Sequence, residues 1–126
     1  MKERLVQNAL CKYMDIQYPH VKYRTDKDGQ FAKGGALWDK ARQKGERGFP
    51  DLIIREQVGE YKGLIIELKR DGETVWKKDG TLRKSGHLEE QFGWLEWFKS
   101  MGCYTDFAIG FDAGKDLIDR YLKGQL

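Results

Sequence analysis

Gly48-Phe49-Pro50-Asp51 opens an apolar run, Leu52-Ile53-Ile54, and a second run, Leu64-Ile65-Ile66, closes on Glu67-Leu68-Lys69. A short connection with Gly59 as its turn residue separates the two, which predicts an antiparallel hairpin. Their continuous apolar middles predict strands covered on both faces. Pro50 fixes its own φ and pushes Phe49 into an extended conformation, so Asp51 leaves a constrained turn to begin the first strand. In the second strand Glu67 and Lys69 share one face and Ile66 and Leu68 the other. Charges at the ends of buried strands cost free energy unless they have partners or a task. Spacing alone says little, because Glu60-Tyr61-Lys62 repeats the Glu-x-Lys pattern inside the turn. The buried strand leading into Glu67 and Lys69 is what sets them apart.

Outward from the hairpin the period changes. Residues 3 to about 15 carry Leu5, Val6, Ala9, Leu10, Tyr13 and Met14 at helical spacing, and Glu3, Gln7, Leu10 and Met14 share a neighbouring line. Pro19 ends that helix, and Val21, Tyr23 and Thr25 alternate with polar residues as in a half-exposed strand. Asp28-Gly29 and Gly34-Gly35 read as turns, residues 36–44 suit a short helix through Leu37 and Ala41, and Gly45 stops it. Between Asp71-Gly72 and the helix that follows, Thr74-Val75-Trp76 and Thr81-Leu82 flank Asp79-Gly80, which predicts a small protruding basic hairpin over 71–86, too polar to be core. Residues 87–101 form the clearest helix, with Leu88, Gln91, Phe92, Leu95, Phe98 and Met101 on helical spacing and Gly102 as its cap. Residues 103–110 read as a third central strand, and Asp112 as the N-cap of a last helix through Leu117, Ile118, Tyr121 and Leu122. This order predicts one α/β domain over 1–126, a mixed central sheet flanked by helices.

The 126 residues suffice for a single core. No run approaches the ~18 apolar residues of a membrane span. Met1-Lys2-Glu3-Arg4 leads into mixed polar sequence rather than a signal-peptide core, so a soluble, cytoplasmic protein is expected. Cys11 and Cys103 match no metal-ligand spacing, and read as reduced thiols packed as small apolar groups or as a disulfide. His20 and His87 are too scattered for a zinc site and read as surface or edge residues. The net charge of +3 conceals clustering: Lys40, Arg42, Lys44 and Arg47 crowd one stretch, and Lys77, Lys78, Arg83 and Lys84 another. Each cluster reads either as a solvated face or, flanking carboxylates, as a surface for a polyanion.

If the hairpin forms, Asp51 and Glu67 come within reach of one cation. Two carboxylates with water suit Mg²⁺ or Mn²⁺, and the Leu68 backbone carbonyl offers another oxygen. A metal there activates water and polarises a phosphate, while Lys69 stabilises charge developing in the transition state. Gln91 lies on the apolar line of its helix with Leu88 and Leu95 and needs a partner, either this site or nearby backbone. Glu3, at the rim of the first helix's stripe, reads either as a further ligand or as a solvated glutamate favoured by the helix dipole.

In combination these motifs resemble the PD-(D/E)XK nuclease superfamily, specifically its VRR-NUC branch. Members look like Gly-x-Pro-Asp, an apolar strand, Glu-Leu-Lys, then a helix with Gln followed by Trp-Leu. Here the pattern reads Gly48-Phe49-Pro50-Asp51, Glu67-Leu68-Lys69-Arg70 and Gln91-Phe92-Gly93-Trp94-Leu95. The lead-in Gly45-Glu46-Arg47 and the closing Ile118-Asp119-Arg120-Tyr121-Leu122 look like compact stand-alone members of phage or bacterial origin. The resemblance implies a restriction-endonuclease-like core and a Mg²⁺- or Mn²⁺-dependent DNA endonuclease. It makes Asp51 and Glu67 metal ligands, Lys69 the catalytic lysine, Gln91 the supporting residue and Glu3 the first-helix glutamate.

It also implies a homodimer acting on branched DNA, such as four-way junctions or flaps, in repair or recombination inside a bacterial or phage-infected cell. Two symmetric nicks need two active sites in fixed relation, which a twofold dimer supplies. Trp38, Trp76 and Trp97 are its candidate contacts. Arg24, Lys40, Arg47, Arg70, Lys77, Lys78, Arg83 and Lys84 are candidate DNA contacts. The 71–86 segment is short in many relatives and suits contact with DNA or with a second subunit. The competing expectations are a non-catalytic nucleic-acid-binding module and a small protein-interaction or restriction-accessory subunit.

Overall fold

The computed structural model describes residues 2–26 and 48–126. Along them run α1 (Glu3–Gln17), β1 (Tyr23–Thr25), β2 (Leu52–Ile54), β3 (Leu64–Lys69), α2 (Gly86–Ser100), β4 (Tyr104–Ile109) and α3 (Phe111–Leu122). The strands pair in the order β1-β2-β3-β4, the first two joints antiparallel and the last parallel. A parallel joint needs a crossover, and α2 provides it between β3 and β4.

Burial in β3 follows the alternation expected of a strand covered on both sides. Leu64, Ile66 and Leu68 join Val6, Leu10 and Met14 of α1 and Leu117, Ile118 and Tyr121 of α3 in the larger core. Ile65 turns the other way, with Ile53, onto Leu95 of α2 and the rings of Phe49, Phe98 and Phe107. The sheet is therefore the middle layer, with α1 and α3 on one face and α2 on the other. Glu67 and Lys69 follow Ile65 onto the α2 face, as their spacing requires. No helix among the described residues is long and apolar enough to cross a membrane.

Several expectations need correction. In the described sheet β4 lies at the edge rather than in the centre, because it pairs with β3 alone. Asp112 falls in the first turn of α3, and Gly110, at φ +86°, takes the N-cap position. That φ is open to glycine and closed to most side chains, so the chain turns from β4 into α3 one step earlier than a capping aspartate predicts. The 71–86 hairpin forms, with a bridge between Trp76 and Leu82, but part of it packs onto the domain. Val75 is fully buried, and the Trp76 ring meets Phe92 of α2 and Phe107 of β4 edge-on. Apolar burial wins locally over the segment's polarity, while Lys77, Lys78, Arg83 and Lys84 stay exposed. No disulfide joins Cys11 to Cys103. The helix expected over 36–44 lies outside the described residues.

Candidate metal centre

The β2–β3 register decides where the acids meet. Leu52 pairs with Ile66 and Ile53 with Ile65, so continuing by one step sets Asp51 opposite Glu67. Asp51 Oδ2 accepts the Leu68 N–H at 2.8 Å, which fixes the carboxyl against β3. Gly48 prepares this approach. Its φ is +77°, and a Cβ there would stand 2.9 Å from the Gln91 nitrogen and the Glu90 carbonyl carbon, so the turn before Asp51 lies flush against the α2 backbone. Phe49 seals the contact, its ring edge-on to Trp94 and Phe98.

Gln91 bridges the two charged residues of β3. Its Nε2 donates to Glu67 Oε1 at 2.6 Å, and its Oε1 accepts from Lys69 Nζ at 2.6 Å. Of the two partners left open for this glutamine, side chains rather than backbone take it. His87, read as a surface or edge residue, is exposed, and it lies one turn before Gln91 with its Nε2 3.1 Å from Gln91 Nε2.

Glu3 arrives from the opposite layer, at the first residue of α1. One carboxylate oxygen from each of Glu3, Asp51 and Glu67 lies within 4.8 Å of the others. One turn on, Gln7 is buried, and its Nε2 donates to the main-chain oxygen of Asp51 at 2.8 Å and to Asp26 Oδ1 at 2.7 Å. Neither Gln7 nor Asp26 stands among the sequence-derived site residues. The signal for Gln7 is the one that singles out Gln91, a polar residue in line with buried apolar ones. The basic candidates divide: Arg70 is exposed and paired with Glu73, Arg24 sits half-buried on β1, and Lys77, Lys78, Arg83 and Lys84 ring the 71–86 hairpin. Lys40 and Arg47 lie outside the described residues.

Burial dominates the electrostatics. It pushes Asp51 from 3.8 up to about 7, with the charges of Asp26 and Glu3 adding and the neighbouring Glu67 carboxyl and Leu68 N–H opposing. Glu67 is raised well above the ordinary glutamate value, first by burial and then by Asp51, with Lys69 opposing. Glu3 is also raised, by burial first, against the pull of Lys69. Glu67 Oε2 is buried without a hydrogen-bond partner. A carboxylate oxygen in that position needs a proton or a cation. Three convergent carboxylates with such an oxygen fit a hard divalent cation, with Glu3, Asp51 and Glu67 to hold it and the Leu68 carbonyl adjacent in sequence.

No protein-family model matches the sequence, and no curated protein matches it. Among solved structures, the chain is similar to a VRR_NUC domain protein, with a TM-score of 0.70 and 23% identity over 98% of this chain and 89% of that one. The fold is thus shared with a VRR_NUC domain, the restriction-endonuclease-like α/β arrangement that the motifs imply.

Two outcomes follow from this geometry. Gly48→Ala places a Cβ against α2 backbone at a positive φ, and is expected to lower stability by about 2 kcal/mol or more in urea denaturation; a neutral effect would detach the turn from α2. The second concerns pH. Because the folded value of Asp51 lies above its ordinary one, its contribution to stability is complete below about pH 4 and is lost as pH rises through about 7. Asparagine keeps an acceptor for the Leu68 N–H without the charge. Asp51→Asn should therefore stabilise the metal-free protein at pH 8 by on the order of 2 kcal/mol, a gain that fades toward pH 4. Denaturation in EDTA at both pH values measures it, and a mutant weakened at pH 8 would refute the electrostatic account.

Proposed function

We propose that the protein is a Mg²⁺- or Mn²⁺-dependent DNA endonuclease that hydrolyses phosphodiester bonds, selective for branched DNA such as four-way junctions or flaps. The observation that carries this reading is the meeting of Glu3, Asp51 and Glu67, the last with a buried, donorless Oε2, and Lys69 two residues along the same strand. The cation supplies Lewis acidity at the phosphate and lowers the pKa of the attacking water. The chain's own residues do the rest. Asp51 and Glu67, with Glu3 beside them, orient that centre at the end of the sheet. Lys69, buried and held by Gln91, presents an ammonium where charge builds on the phosphate oxygens. Exposed Lys77, Lys78, Arg83 and Lys84 offer phosphate contacts that position DNA without reading its sequence.

The decisive experiment is a cleavage panel of duplex, flap, fork, four-way junction and single strand with Mg²⁺ and Mn²⁺. Cutting should favour the branched forms, stop in EDTA, and fall by on the order of 10²-fold or more in Lys69→Ala and Asp51→Ala. Lys69→Ala cutting as fast as wild type would defeat the assignment. Salt-dependent binding with no product would instead support a non-catalytic nucleic-acid-binding module.

A homodimer working in the cytoplasm of a bacterial or phage-infected cell belongs to the same reading. A domain this small covers little of a junction, and Trp76 and Trp97 are 44% and 51% exposed, as contact residues would be in the separated subunit. Sedimentation at micromolar concentration should give a dimer; a monomer would remove this part of the proposal.

A further inference from the structure

We infer that Gln7 is a positioning residue of the metal centre, setting the helix that carries Glu3 against the main chain of Asp51. This rests on the metal-site reading above and names a residue that reading does not use. Three observations carry it. First, Gln7 is 3% exposed, between buried Val6 and Leu10, where an apolar side chain would pack without any polar cost. Second, its single amide nitrogen spans two elements, donating to the Asp51 carbonyl and to Asp26 Oδ1 at the end of β1. Asp26 in turn donates its own N–H to the same Asp51 carbonyl at 3.3 Å, so α1, β1 and Asp51 close on one oxygen. Third, Val6 and Gln7 are the first buried side chains of α1, and no side chain caps the turn before them. Lys2 at the N-cap makes no side-chain capping bond, and Leu5 is largely exposed.

Asp51 is thereby held at both ends, its carboxyl by the Leu68 N–H and its carbonyl by Gln7. Glu3 stands one helical turn before Gln7, so a shift at Gln7 moves Glu3 relative to Asp51 directly. Residues that orient metal-binding carboxylates commonly govern affinity although they never touch the ion.

The test uses the full chain and Mn²⁺ itself. Calorimetric titration of wild type, Gln7→Leu, Gln7→Met, Glu3→Gln and the Gln7→Leu/Glu3→Gln double variant measures affinity, beside kcat and KM on a four-way junction. Both Gln7 variants should bind Mn²⁺ about 10- to 100-fold more weakly and lose kcat with little change in KM. If Gln7 acts through Glu3, then Glu3→Gln costs far less in the Gln7→Leu background than in wild type. Affinity within twofold of wild type, or equal costs of Glu3→Gln in both backgrounds, would overturn the inference. So would loss of folding in both Gln7 variants, which would assign the residue to the core. Weakened Mn²⁺ binding in a protein that never cuts DNA upholds Gln7 and sinks the nuclease instead. A wild type that binds no Mn²⁺ removes both.

Discussion

Glu67 Oε2 sets the terms for the rest of the molecule. It is a carboxylate oxygen taken out of water and given no donor, on a residue that meets two further acids. Desolvation of that kind costs several kcal/mol if the charge is kept. The fold answers only half of the demand. Glu67 Oε1 has Gln91, Asp51 has the Leu68 N–H, and the charge of Lys69 acts on Glu67 and Glu3. Protonation relieves the remainder in the absence of an ion, which is what the raised values of Asp51 and Glu67 express. A divalent cation held there would relieve it without protons and would compete with them for the same oxygens.

Holding such a cluster together requires elements that do not yield. The carboxylates come from both sides of the sheet: Glu3 from the layer of α1, Glu67 from the face toward α2, and Asp51 from the turn that enters β2. Each is backed by apolar packing immediately behind it. Val6 and Leu10 follow Glu3, Leu52 follows Asp51, and Ile66 and Leu68 flank Glu67, all within one core. Gly48 adds a close contact, backbone against backbone, where any side chain would hold β2 and α2 apart. The hydrophobic clusters that make the fold stable are the same ones that keep the acids crowded.

Much of this was legible in the chain because it is written in local periods. The strand alternation around Glu67 and Lys69, and the helical line through Leu88, Gln91 and Leu95, depend on neighbours a few residues away. Gln7 carried the same mark, in line with Leu10 and Met14, but its partners lie 19 and 44 residues away. No period in α1 reaches them. Val75 misled for the opposite reason. Its segment is polar on average, yet α2 and β4 present Phe92 and Phe107 to Trp76 beside it, and composition cannot register a surface assembled from elsewhere. The edge position of β4 depended on strand order, which hydrophobicity alone does not encode. The TM-score of 0.70 at 23% identity makes the same point from outside: the fold persists where most of the residues differ.

Gln91 resolves an apparent contradiction at the centre. A buried lysine two residues from a buried glutamate on one strand face should fall into a direct ion pair with it. That pair would satisfy both groups and leave neither for anything else. Instead the Lys69 ammonium donates to the Gln91 carbonyl oxygen, and the Gln91 amide donates to Glu67 Oε1, so a neutral dipole of matching sense stands between the charges. Each charge is stabilised, and Glu67 Oε2 still has no donor. Under the nuclease reading this separation is the requirement: one carboxylate edge must stay open to the cation while the ammonium stays open to the phosphate. A glutamate at position 91 would offer no donor to Glu67, and a leucine would let the ion pair close. Only a side chain with a donor and an acceptor at the same reach keeps acid and ammonium both buried and apart, which explains an amide on an otherwise apolar helix line.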